Sequence, residues 1–226
     1  MVDLFEEVEE QLRSDRYKSL ALKAAPWVLG ALAAALLLAL GIWGLQQYRE
    51  KAAAQASQQY DAGILAVSKG QADEAERLFA QVAESPSRPY RSLALMQQAG
   101  LRLTQGKRDE AVKLFDEAAV AAPDEVIGDA ARLKSAFALM DSAPYAQLEE
   151  RLTPLTKEDR PYRHMAAEAL AFAKLAKGDL AGARADFAGL KELLDAPEGV
   201  RSRATAALEL IDSGTAKTMP EALKAA

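Results

Sequence analysis

Residues 70–79 read GQADEAERLF, and the same stretch returns as GKRDEAVKLF at 106–115 and as GDLAGARADF at 178–187. The shared template is a glycine (Gly70, Gly106, Gly178), an alanine five residues on (Ala75, Ala111, Ala183) and a phenylalanine nine residues on (Phe79, Phe115, Phe187). The copies are offset by one period of 36 residues and then by two. Self-similarity at a fixed period of this length marks a repeat architecture, in which each unit buries its apolar face only against its neighbours. The omitted copy falls near residue 142, where Asp141-Ser-Ala-Pro144 is followed by Leu148 and Leu152. That is a degenerate unit whose apolar pair has slipped by one residue.

The surroundings of the template agree with helical hairpins. Beyond residue 50 apolar residues recur at helical spacing, with no sustained period-2 alternation. Pro86 and Pro89 separate units one and two, Pro123 separates two from three, and Asp159-Arg-Pro161 opens unit four, with Pro161 in the first turn of its helix. Pro197 precedes a last helix over about 198–213, and Thr218-Met-Pro-Glu221 has the form of a capping box before a short final helix. Ala supplies 49 of 226 residues and aromatics only 6%, a composition suited to closely packed helices.

The template resembles the tetratricopeptide repeat. In that pattern the Gly turns helix A into helix B, the Ala allows close approach, the Phe fills the space between the helices, and a Pro ends the unit, as Pro123 does after Ala118. The chain departs from it where the large aromatic of helix A is replaced by Gln59, Leu95, Ala131 and Ala167, and where Arg102 and Lys174 stand at a usually aromatic position.

Ahead of the repeats, residues 24–45 read AAPWVLGALAAALLLALGIWGL, 22 residues without a charge. As a helix this run is about 33 Å long, enough to cross the hydrocarbon core of a bilayer. Trp27 and Trp43 stand near its ends, where indole rings favour the interface. A cleaved signal peptide is the rival reading, with Ala52-Ala-Ala54 and Ala54-Gln-Ala56 as small-x-small sites. The apolar run is longer than the usual 7–15 residues of a signal core. Its 23-residue flank also carries Asp3, Glu6, Glu7, Glu9, Glu10 and Asp15, which points to an uncleaved anchor. Arg13, Arg16, Lys18 and Lys23 before the span against Arg49 and Lys51 after it predict an N-terminus inside and a domain outside the cytoplasm.

The expected layout is all-α. A cytosolic tail covers 1–23, with Leu4, Phe5, Val8 and Leu12 on one helical face among acidic residues. A single transmembrane helix follows at 24–45. A repeat domain then covers 46–214 as an α-solenoid of about four helical hairpins with a C-terminal capping helix, and a short tail ends the chain at 215–226. Ala31, Ala35 and Ala39, four apart, form a small-residue ridge on the span that suits packing against another membrane helix.

No chemistry is expected. One His and no Cys exclude multi-His and Cys-ligated metal sites and thiol catalysis, and any Ser–His pair would rest on His164 alone. Gly100 to Gly106-Lys107 has the wrong spacing for a phosphate loop and no Ser or Thr after the Lys. A formal charge of −5 leaves no basic excess for nucleic acid. No catalytic set, metal, cofactor or small-molecule substrate follows, and the expected partners are proteins.

The whole layout resembles the ancillary, tetratricopeptide-containing subunit family of the bacterial Sec translocon. The resemblance rests on the acidic amphipathic tail FEEVEEQL at 5–12, the anchor, the segment SQQY at 57–60, and the later elements Glu168-Ala-Leu170, Ala176-Lys-Gly-Asp179 and Gly182-Ala-Arg184. It implies a single-pass protein of the bacterial inner membrane, with a periplasmic repeat domain near the translocon that works with periplasmic chaperones or emerging clients. An anchored repeat scaffold for another envelope process, such as cell division, outer-membrane assembly or cytochrome maturation, is the alternative. In tetratricopeptide repeats helix A lines the concave, partner-binding face. Carried over from the glycine positions, that face comprises Tyr60, Ile64, Val67, Met96, Leu103, Arg132, Leu139, Glu168 and Phe172. The set is mostly apolar with a few charges, as a groove for an apolar segment requires.

Overall fold

In the computed structural model, residues 3–217 are described, residues 3–25, 28 and 31 by their backbone alone. Nine α-helices and two short 3-10 turns occur among the described residues, with no strand. The chain divides into two compact units, residues 1–51 and 52–226.

Helix α1 (Asp3–Ser68) carries Pro26 inside it. Among the described side chains of the first unit, the large apolar ones face outward, Trp27, Leu37 and Trp43 being 83%, 70% and 64% exposed. The expected span at 24–45 includes residues 24, 25, 28 and 31, whose side chains lie outside those described, as do those of the amphipathic tail. Among the described residues no helix is long and apolar enough to cross a membrane.

The second unit is a row of hairpins. The last turns of α1 pair with α2 (Ala72–Ala83). Helix α3 (Arg88–Thr104) pairs with α4 (Arg108–Ala121). Helix α5 (Glu125–Leu139) pairs with α6 (Tyr145–Leu152), which runs on as a 3-10 turn at Thr153–Thr156. Helix α7 (Arg163–Ala176) pairs with α8 (Leu180–Glu192). Helix α9 (Glu198–Asp212) follows, with a 3-10 turn at Thr215–Lys217. Pro161 stands two residues before α7 and not in its first turn, which corrects the sequence reading. Residues 218–226, the expected capping box included, lie outside the described residues.

The hairpin turns explain the glycines. Gly70, Gly106, Gly178 and Gly214 have φ of 72°, 73°, 87° and 78°, a left-handed conformation that other residues adopt at a cost. At Gly106 the amide donates to the Leu103 carbonyl (3.0 Å), and the Lys107 amide reaches back to that of Arg102 (2.8 Å), which satisfies the last carbonyls of α3. Gly214 stands 36 residues after Gly178, so α9 is in phase as the first helix of a fifth unit. Unit three has Ser142 in the equivalent place, and no residue other than glycine has positive φ among those described. Its turn closes instead through amides of Ser142 and Ala143 on the Leu139 carbonyl (3.0 and 2.8 Å). The slipped pair Leu148 and Leu152 is buried, as the sequence indicates.

The core is a ladder of small residues against aromatic wedges. Gly63, Ala99, Ser135, Ala171 and Ala207 recur every 36 residues and are all buried. Opposite them Phe79, Phe115 and Phe187 are almost fully enclosed, with Leu152 in unit three. A Cβ on Gly63 would lie 2.6 Å from Cε1 of Phe79, so the two helices approach too closely there for a side chain without the ring shifting. The aromatics also meet one another, the rings of Phe172 and Phe187 edge-on at 4.9 Å.

Candidate protein-interaction face

The helix-A residues expected to line a groove divide three ways. Ile64 and Val67 on α1 and Leu103 on α3 are open to solvent (39%, 42% and 39% exposed), and Arg132 on α5 is exposed while one arm holds Asp129 (2.9 Å). Tyr60, Met96 and Phe172 are half-buried. The Tyr60 ring packs 5.6 Å from Phe79 and 6.1 Å from Tyr90, and its hydroxyl accepts a hydrogen bond from Nε2 of Gln97 (2.9 Å). Leu139 and Glu168 are enclosed, which corrects their placement on an open surface. Leu139 is drawn into the cluster of Leu148, Leu152 and Leu155. Both carboxylate oxygens of Glu168 take the guanidinium of Arg203 at 2.7 Å, so the charge is satisfied within the stack.

Tyr60, Ile64 and Val67 on α1 and Met96 and Leu103 on α3 thus stand on two neighbouring helices of the first two units. The Tyr60–Gln97 bond sets α1 and α3 side by side with an offset of 37 residues, one period plus one. Gly100 lies on α3 between Met96 and Leu103, and nothing stands within 4 Å of where its Cβ would be. On the apolar run at 24–45, Ala35 and Ala39 are exposed, and the side chain of Ala31 lies outside those described.

Polar ties between neighbouring units carry charges that sequence reasoning missed. Asp129, fully buried on α5, accepts from Arg132 and from both the Nε (2.7 Å) and the Nη2 of Arg160, whose Nη1 also holds Glu125. Arg151 on α6 reaches Asp116 on α4 (2.9 Å) and Ser135 on α5 (3.0 Å), and Ser135 donates to the same Asp116 (2.7 Å). Arg102 joins Glu76 of unit one to Glu110 of its own unit. Several of these pairs, Asp116–Arg151, Glu125–Arg160 and Glu168–Arg203, lie 35 residues apart. That spacing of acid and base, one period less one residue, is a signal that a search of the sequence could have found.

The electrostatics follow from these contacts. Hydrogen bonding to Arg102 holds the Glu76 carboxyl below its ordinary value, and Arg163 does the same for Asp195. Burial pushes the Tyr145 hydroxyl upward. His164 is mostly enclosed, with Nε2 3.5 Å from Asp195. No group of three or more His, Asp or Glu side chains among the described residues is placed to hold a metal ion.

The tetratricopeptide repeat-like domain family matches residues 23–188, well over half of the chain. No curated protein and no solved structure matches the chain. The match includes the apolar run at 24–45 and the three template copies, and it ends one residue past Phe187. Glycine turns in phase, the small-residue ladder with its aromatic wedges, and this match lead to one conclusion: the chain belongs to the tetratricopeptide repeat-like domain family, whose helical repeats form protein-interaction scaffolds.

Proposed function

We propose that this protein is an anchored scaffold. Residues 24–45 cross the bacterial inner membrane once, the N-terminus is cytoplasmic, and the repeat domain lies in the periplasm near the Sec translocon. There it takes an apolar segment of another protein, a chaperone or an emerging client, on the helix-A face of its first two units. The observation that carries the reading is the open apolar strip of Ile64, Val67 and Leu103 beside half-buried Tyr60 and Met96, in a repeat family built for protein binding. The 22-residue uncharged run inside the family match supports the anchor. Its outward-facing Trp27, Leu37 and Trp43 suit a lipid surround.

A photo-reactive residue at Ile64 or Leu103 of the full chain tests the face in cells. Adducts with translocon components, periplasmic chaperones or secretory clients are expected, and the same probe at Lys113 on α4 should give few. Equal labelling from both positions overturns the face. Adducts confined to division, outer-membrane assembly or cytochrome-maturation proteins replace the translocon by one of those processes. Alkaline phosphatase fused to the C-terminus should be active, and an inactive fusion reverses the topology.

A further inference from the structure

We infer that α6 and its 3-10 extension, residues 145–156, form a strap that opens by itself while the helices on either side stay folded, with Arg151 as its latch. This goes beyond the scaffold reading and does not depend on it. Three observations converge on the segment. Helix α6 has 8 residues where the other second helices, α2, α4 and α8, have 12, 14 and 13. Its apolar side is Leu148, Leu152 and Leu155, without the aromatic wedge of the other units. It is also entered through the hairpin turn that lacks a left-handed glycine.

The short helix leaves one flank uncovered. A cleft of about 390 Å³ opens between α6, α7 and α8, bordered by Tyr145 and Glu149 on the strap and by Leu170, Leu190 and Leu193 opposite. Besides the three buried leucines, polar ties hold the segment at separate points. Arg151 forks onto Asp116 and Ser135 on the far side of the core. The ammonium of Lys177 lies 3.5 Å above the Tyr145 ring at the first residue of the strap. Arg160 fastens the chain just beyond the strap to Asp129 and Glu125.

A short segment that packs less extensively on its neighbours than the other second helices do, with a partly open flank, opens at a free energy below that of the whole domain. Opening would uncover Leu133, Ala169 and Ala173, which the strap leucines now cover. The Arg151 side chain is 29% exposed and Asp116 44%, so salt reaches and screens this latch.

Hydrogen exchange on the full chain in detergent tests the idea. Amides in 145–156 should exchange faster than those of α5 and α7. Arg151→Ala should speed that segment by about fivefold to thirtyfold, the effect of removing a charge-assisted hydrogen bond, and leave α2–α4 and α8 unchanged. Arg151→Lys, which keeps the charge and loses the fork, should fall between. Arg77→Ala, which breaks the exposed pair with Glu74 on α2, should not alter 145–156. Raising salt from about 0.05 to about 0.5 M should accelerate the same amides in the unaltered protein. The strap is refuted if 145–156 exchanges together with α5 and α7. A uniform acceleration by Arg151→Ala, or indifference of the segment to salt, removes Arg151 as the latch.

Discussion

Replacing Arg160 by Met strands a carboxylate. The Asp129 side chain has no exposure, and Arg160, itself 16% exposed, supplies two of the three arginine nitrogens that hold it. Breaking a buried pair by removing one partner costs about 3–5 kcal/mol. Arg132 remains at 2.9 Å on a side chain that is 44% exposed, so part of the charge stays compensated and the expected loss is about 2–4 kcal/mol. For a chain of this size each kcal/mol moves the midpoint by about 2–4 °C, giving a fall of about 4–16 °C for the full chain in detergent, followed by circular dichroism. The double variant Asp129→Leu, Arg160→Met removes the stranded charge and should regain at least about half of that loss. A fall under about 2 °C for Arg160→Met would show that the buried carboxylate does not depend on this partner. A double variant as unstable as the sum of its two singles would show that the residues are not coupled.

Three further outcomes are expected. Gly106→Ala, at φ 73°, should lower stability by about 1 kcal/mol, whereas Gly100→Ala, inside α3 with open space at its Cβ, should raise it by about 0.4–1 kcal/mol; denaturant midpoints compare the two, and equal shifts would contradict the turn geometry. Phe187→Ala should cost about 3–5 kcal/mol in the same assay, and Phe172→Ala, half-buried, distinctly less; equal losses would make Phe172 a core residue and remove it from the interaction face. Glu76 and Asp195 have folded-state pKa values below their ordinary 4.5 and 3.8, so their stabilisation is complete above those values and is lost as pH falls through the lower folded ones. Melting midpoints measured from pH 7 to pH 2 should therefore drop chiefly below about pH 4.5, and less steeply in Arg102→Met.

The repeat was legible because its demands are local. A left-handed turn needs Gly70, Gly106 and Gly178, and a tight hairpin needs Ala75, Ala111 and Ala183 beside their phenylalanines, so spacing alone exposes the hairpins. Even the slip in unit three was readable, since Leu148 and Leu152 kept their helical interval. Gly214 could have been found by extending the same period, which shows α9 to be in register and not an unrelated cap. The interaction face was less legible. Position along helix A fixes which side a residue takes, but its exposure depends on what the next unit brings. Arg203 encloses Glu168, the slipped turn draws in Leu139, and Phe172 leans on Phe187. The Asp129–Arg160 tie was hidden because its 31-residue separation departs from the 35-residue interval that links Arg160 to Glu125.

The ties between units also bear on how the chain acquires its fold. The longest side-chain hydrogen bond described above spans 37 residues, from Gln97 to Tyr60, and the others reach a period or less. No loop longer than about one unit must close before its contacts form, so the entropic barrier stays low and folding is fast for a domain of this length. A chain delivered N-terminus first, from a ribosome or through a pore, can complete each hairpin once the next 36 or so residues have emerged, without waiting for its C-terminus. Damage to one unit is likewise felt mainly by its two neighbours. Unit three, with its leucines in place of a phenylalanine, is where growth of the folded stack should pause.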